Sequence, residues 1–168
     1  IEPGCIIKNS TIKKNCMILG NSYLEEANVH PECSIGPFAR LRPGADIGEK
    51  SKVGNFVEIK KAKLHSGVKV SHLSYVGDAE IGDHSNIGCG FITCNYDGKK
   101  KHKTKIGKNT FIGSDCQTIA PVEIGDHCFV AAGSTINTSM DEGDFAISRG
   151  RQIIKKGLAK KYLPKDDH

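Results

Sequence analysis

The amino-acid sequence predicts an all-β fold, a parallel β-helix. Three observations predict it: an aliphatic residue at every sixth position, a small residue two positions before it, and glycine at the corners. Counting from Val29, successive steps land on Ile35, Leu41, Ile47, Val53 and Ile59, and glycine follows at 36, 48 and 54. The same step links Ile6, Ile12, Ile18 and Leu24, then Leu64, Val70 and Val76, then Ile81, Ile87 and Thr93. A last run joins Ile106, Ile112, Thr118, Ile124, Val130 and Ile136. A helix repeats near 3.6 residues and a surface strand near two, so six fits neither. It fits a short strand followed by a corner, with one large and one small residue pointing inward.

The small inward partners are Cys33, Ala39, Ala45, Ser51, Ser85, Thr110, Cys116, Cys128 and Ser134. Glycine suits the corners because it accepts positive φ without a Cβ clash. Three such sides close one triangular coil of about 18 residues, and coils stacked about 4.8 Å apart give roughly seven tiers. A β-sandwich would turn every 8–12 residues or so and does not sustain a constant step of six.

The 168 residues divide into a solenoid over 1–139, with a protruding loop over 94–105, and a tail over 140–168. Net charge is +5, concentrated in the lysines of 99–103 and 155–161. Aromatic residues make up 6% of the chain and no nucleic-acid motif occurs, so no nucleic-acid partner is expected. No apolar run is long enough to span a bilayer, and no signal-peptide pattern opens the chain. Cys16, Cys33, Cys116 and Cys128 fall on the small inward position and no CxxC pair occurs. They read as core filler, not metal ligands, and point to a reducing cytoplasm. The chain begins at Ile1, already inside the repeat, and reads as a piece of a longer protein.

Function is sought where the repeat breaks. Three steps shrink to five residues: Leu24 to Val29, Ile59 to Leu64 and Val76 to Ile81. The gap from Thr93 to Ile106 is too long for one coil side and should protrude, as functional loops on rigid scaffolds commonly do. In the tail, Ile154, Leu158 and Tyr162 are spaced for a short helix, which Gly157 weakens.

Three stretches carry a family resemblance: GPFARLRPGADIGEKSKVGNFVEIKKAKL from Gly36, SHLSYVGDAEIGDHSNIGCGFITCNYDG from Ser71, and IGSDCQTIAPVEIGD from Ile112. From about Gly4 to Arg149 the chain resembles the C-terminal acetyltransferase domain of the bacterial N-acetylglucosamine-1-phosphate uridyltransferase / glucosamine-1-phosphate acetyltransferases. That resemblance implies a left-handed helix, a homotrimer with active sites between chains, and acetyl transfer from acetyl-CoA to the amine of glucosamine 1-phosphate. The product would feed UDP-N-acetylglucosamine, peptidoglycan and lipopolysaccharide. The family's nucleotidyltransferase half does not appear in these residues, so neither uridyl transfer nor its Mg is expected of them.

Amine acetylation needs a base, and histidine accepts a proton near neutrality. His72 follows a five-residue slip and matches the family's catalytic histidine; the other six histidines read as surface residues. Arg42 and Lys60 match the positions that hold the sugar phosphate, Arg through a planar fork and Lys as a point charge. Without the resemblance they would pass as solvated charges. Tyr75 and Asn86 match substrate contacts, and Glu58 would orient substrate or base. Asn95 and Tyr96 on the loop match acetyl-CoA contacts, as do Ser114, Ala132 and Arg149. Position 89 is commonly Ala in the family and is Cys89 here, with a backbone contact expected to persist. Lys101 and Lys103 would help with CoA phosphates. Three other readings compete: a hexapeptide acyltransferase with another acceptor, a zinc-dependent hexapeptide carbonic anhydrase, and a non-catalytic scaffold. His65, His72 and His84 do not recur at a coil step, as the zinc reading would need.

Overall fold

The computed structural model describes residues 1–163; the end of the tail, with His168, lies outside the described residues. The chain winds through three parallel sheets of eight, seven and eight strands, each built from every third strand in order. This is a left-handed β-helix of about eight turns, one more than the repeat count suggests. The first face runs from Ile6–Lys8 to Thr135–Ile136, the second from Thr11–Ile12 to Val122–Ile124, and the third from Met17–Ile18 to Phe145–Ala146.

In-register pairing stacks like on like. Leu24 lies beside Leu41, Leu41 beside Ile59 and Ile59 beside Val76 on the first face. These aliphatics are fully buried, each worth about 1.5–3 kcal/mol against exposure. The first turn departs from the count. Ile6 is 49% exposed, and Ile7 is the residue that pairs with Leu24. Register, not the six-step, decides which of two adjacent isoleucines turns inward. Cys33, Cys116 and Cys128 are buried among the aliphatics, and burial pushes the Cys33 thiol up to about 11, the condition of an inert packing residue.

One tier inverts the large and small partners. Phe91, fully buried, occupies the usual small position, and the repeat position after it is Thr93, also buried. The ring takes up the volume, so only a small side chain fits beside it. The Thr93 hydroxyl accepts a bond from Gly77 N at 2.8 Å and donates to Gly77 O at 3.0 Å, which removes the cost of burying it.

Every departure from six falls on one corner, between the first and second faces. Ile7 to Ile12, Leu24 to Val29, Ile59 to Leu64, Val76 to Ile81 and Ile136 to Met140 are the short steps, and Thr93 to Ile106 is the long one. The long one is a hairpin: Tyr96 bridges Lys101, and His102 N donates to Asn95 O at 2.8 Å. Its ends lie inside the range expected for the loop, because Cys94 still belongs to the strand Ile92–Cys94 and Thr104 opens Thr104–Ile106.

Stacking also runs past residue 139, where the sequence placed the boundary. Met140 bridges Ile124, and Phe145–Ala146 pairs with Phe129–Val130. The expected tail helix is reduced to one 3-10 turn, Leu158–Lys161, because Gly157 at φ 72° blocks the turn before it. No helix among the described residues is long and apolar enough to cross a membrane.

Candidate active site

His72 ends the strand Lys69–His72, which pairs with Lys52–Asn55. Register sets His72 directly beside Asn55 at the edge between the third and first faces. The two tiers are pressed together there: a Cβ on Gly54 would stand 1.9 Å from Ser71 O. Asn55 Oδ1 lies 2.8 Å from His72 Nδ1. A carbonyl oxygen only accepts, so this contact pairs with a proton on Nδ1, and in the neutral ring of that tautomer the lone pair lies on Nε2. The main chain is held as well: Ser74 Oγ donates to His72 O at 2.8 Å, and Leu73 N donates to Asn55 O at 3.0 Å. The five-residue slips bracket His72 in sequence but not in space. Its own corner is regular, with six residues from Val53 to Ile59 and from Val70 to Val76; the slips lie across the first face.

The same edge carries four of the residues expected to contact acetyl-CoA. Pairing of Ile87 with Ile112 and of Ile112 with Val130 puts Cys89, Ser114 and Ala132 in one column, in line with His72. Asp115 N donates to Cys89 O at 2.7 Å, and Gly133 N to Ser114 O at 2.8 Å. Arg149 reaches back from the following turn, its Nη1 2.5 Å from Ala132 O. The carbonyl of Cys89 is therefore engaged within the helix, and its side chain is half-buried.

A second group gathers toward the opposite edge of the first face. Arg42 Nη1 donates to Glu58 Oε1 at 2.7 Å, with Arg40 Nη1 3.7 Å from the other oxygen. Lys60 stands beside Lys101 of the hairpin; Lys101, and then Arg42, hold the Lys60 ammonium below its ordinary value. Adjacent like charges are unfavourable and suit an anion that sits among them. Asn95 Nδ2 donates to Asp78 Oδ2 at 2.6 Å and lies 3.5 Å from the Tyr75 hydroxyl. Asn95 thus joins Tyr75, not the column of Ser114 and Ala132. Lys101 sides with Lys60 and Arg42. Lys103 turns to the second face, where it donates to Glu80 at 2.7 Å; Lys103 and then His65 hold the Glu80 carboxyl down to about 2.

The hairpin is latched by Asp97. Its Oδ1 accepts from Lys99 N and Lys100 N, both at 2.8 Å, and Oδ2 meets His102 Nε2 at 2.6 Å. Tyr96 is 60% exposed, with its hydroxyl donating to Gly98 O at 2.7 Å. Asn86 belongs to neither group; it sits on the third face in register between Lys69 and Phe111. Among the described residues no hydrogen bond or ion pair joins the His72 group to the Arg42 group. Sequence reasoning passed over Asn55 and Asp78, although each lies 17 residues before its partner, His72 or Asn95, which is one turn of the helix.

Residues 103–138 match the family model described as bacterial transferase hexapeptide (six repeats). Among solved structures, the chain is similar to PerB from Caulobacter crescentus, determined with CoA and GDP-perosamine. The identity is 21% and the TM-score 0.63, over 69% of this chain and 54% of PerB, so the chain spans about half of that protein. It is similar to NeuO, a polySia-specific acetyltransferase, at 12% identity and TM-score 0.53, over 90% of this chain and 78% of NeuO. It is also similar to LpxA from Bacteroides fragilis, a UDP-N-acetylglucosamine acyltransferase, at 16% identity and TM-score 0.50, over 98% of this chain and 79% of LpxA. At these identities the likeness is one of fold.

Proposed function

We propose that this chain is an acyltransferase that moves acetyl from acetyl-CoA to the amine of glucosamine 1-phosphate. The product, N-acetylglucosamine 1-phosphate, leads to UDP-N-acetylglucosamine and on to peptidoglycan and lipopolysaccharide. The observation that carries this reading is the edge column: the one candidate base heads a line of four residues proposed for CoA. PerB with CoA and the acyltransferase names of NeuO and LpxA support the choice of co-substrate.

Acetyl-CoA supplies the activated acyl group. His72 Nε2 takes the proton of the attacking amine and returns it to the departing thiol. Arg42 and Lys60, joined by Lys101, hold the sugar phosphate. Tyr75, Asn86 and Asn95 hold the remaining polar groups of the substrates. Ser114, Ala132 and Arg149 follow CoA along the edge, with Arg149 on a phosphate. Tyr96 contributes an exposed ring from the hairpin.

The active form is a homotrimer, because one chain separates the base from the cationic group. An exposed apolar ridge supports this. Phe38, Phe56 and Leu73 are 48%, 56% and 57% exposed and stack along the His72 edge, the two rings 5.4 Å apart. Such ridges ordinarily meet a partner. Cytoplasmic action accords with cysteines used as core filler.

Thiol release from acetyl-CoA tests the reading, with glucosamine 1-phosphate, serine and a nucleotide-linked amino sugar as acceptors. Release that requires glucosamine 1-phosphate supports it. Release with serine or the nucleotide sugar alone assigns another acceptor and overturns it. Sedimentation analysis should give a mass of three chains, and Phe56→Glu should lower it.

A further inference from the structure

We infer that Asn55 is a positioning residue for the base: it selects the imidazole tautomer that leaves His72 Nε2 free, and it does so without adding a charge. The inference rests on the reading of His72 as the base. It starts from geometry. The paired strands Lys52–Asn55 and Lys69–His72 are four residues long, longer than any other strand among the described residues. The added pairing carries the ladder to the corner itself, so that Asn55 and His72 are register partners. Most corners lie beyond the ladder; this one is built into it.

Among the described residues the Asn55 side chain then has one polar partner, His72 Nδ1 at 2.8 Å. Histidine has two neutral tautomers, and with the Asn55 amide turned so that Oδ1 faces the ring, the partnered nitrogen Nδ1 is the one that carries hydrogen. The Asn55 backbone assists, its carbonyl taking Leu73 N. Ser74 Oγ clamps the His72 carbonyl from the other side. The ring is thus held at both its main chain and its side chain before any substrate arrives, which lowers the cost of reaching the reactive geometry. An amide also differs from a carboxylate in kind. A carboxylate at this place would stabilise the imidazolium and favour a doubly protonated ring; an amide orients the ring and leaves its charge state to substrate and solvent.

Nitrogen-15 spectra of the full chain test this, with the His72 signal identified by its loss in His72→Gln. Wild type should show the Nδ1–H tautomer. Asn55→Ala should shift the signal toward the Nε2–H form or the averaged value of a free imidazole, and Asn55→Asp should keep Nδ1–H. In the thiol-release assay, Asn55→Ala should lower kcat about tenfold or more, short of the about 10²–10⁴-fold lost with the base itself, with the KM for the sugar phosphate nearly unchanged. Asn55→Asp should recover part of that loss. A wild-type Nε2–H tautomer, or Asn55→Ala with wild-type spectrum and kcat, overturns the inference. Because the wild-type spectrum needs no turnover, absence of acetyl transfer would count against the proposed function and leave the tautomer result standing.

Discussion

The two edges of the first face are built in opposite ways. The edge of His72 keeps the six-residue step at every tier, so Cys89, Ser114 and Ala132 fall in line with it. The edge shared with the second face gathers every short step and the hairpin. Regularity aligns residues that lie 17 to 25 positions apart in the chain. Irregularity brings in residues a coil could not supply, such as Asn95 and Lys101. A rigid column and a built-out corner are complementary ways of assembling a site on a repetitive frame, and the proposed chemistry draws on both.

The largest expected effect breaks the regular edge at its head. His72→Ala should lower kcat by about 10²–10⁴-fold with an unchanged melting curve, since the ring is exposed and packs no core. An unchanged rate would reduce the column to architecture.

The next probes the frame that both edges share. Leu64 is fully buried and pairs with Ile47 and Ile81, so Leu64→Ala should cost about 2–5 kcal/mol in a denaturant titration. A loss well under that range would mean that neighbouring tiers collapse into the gap.

A third breaks the irregular corner alone. Asp97→Ala removes the acceptor for two backbone amides and for His102. Hydrogen exchange should rise across 95–103 while the tiers stay protected. The same latch gives a pH dependence. Lys100 N, then His102 and Lys99 N, hold the Asp97 carboxyl down to about 2, against an ordinary value of 3.8. The pKa is depressed on folding, so the contribution is complete above about pH 4 and is lost as pH falls through about 2. Hairpin protection lost at pH 5 would contradict this.

The smallest effect sharpens the contrast on the second face. Glu80→Gln weakens the bonds to Lys103 and His65, which are partly exposed, and should change stability by about 1 kcal/mol or less. A larger loss would show that the charged ladder beside the hairpin supports the frame.

Much of the frame was legible because one physical rule repeats. Each coil side must bury one large and one small residue, so Ile35, Leu41, Ile47 and their small partners mark the core without any tertiary information. The exceptions follow from the same rule. Ile6 and Ile7 are adjacent and equally apolar, so only pairing with Leu24 separates them. Thr93 stands at an aliphatic position because Phe91 has already taken the volume.

The site was legible only as a set of residue types at the corners of the coil. By itself the sequence determined the solenoid, its protruding loop, and which histidine, arginine and lysine were candidates, because period and motif are properties of the chain's order. Only the tertiary structure decided which corner each residue occupies and what stands beside it. A step of six does not say which of three edges a position lies on; closing the coil does, because it brings together residues one turn apart. That closure set Asn55 against His72, Lys101 against Lys60 and Asn95 against Tyr75, and it separated His72 from the cationic group across the first face.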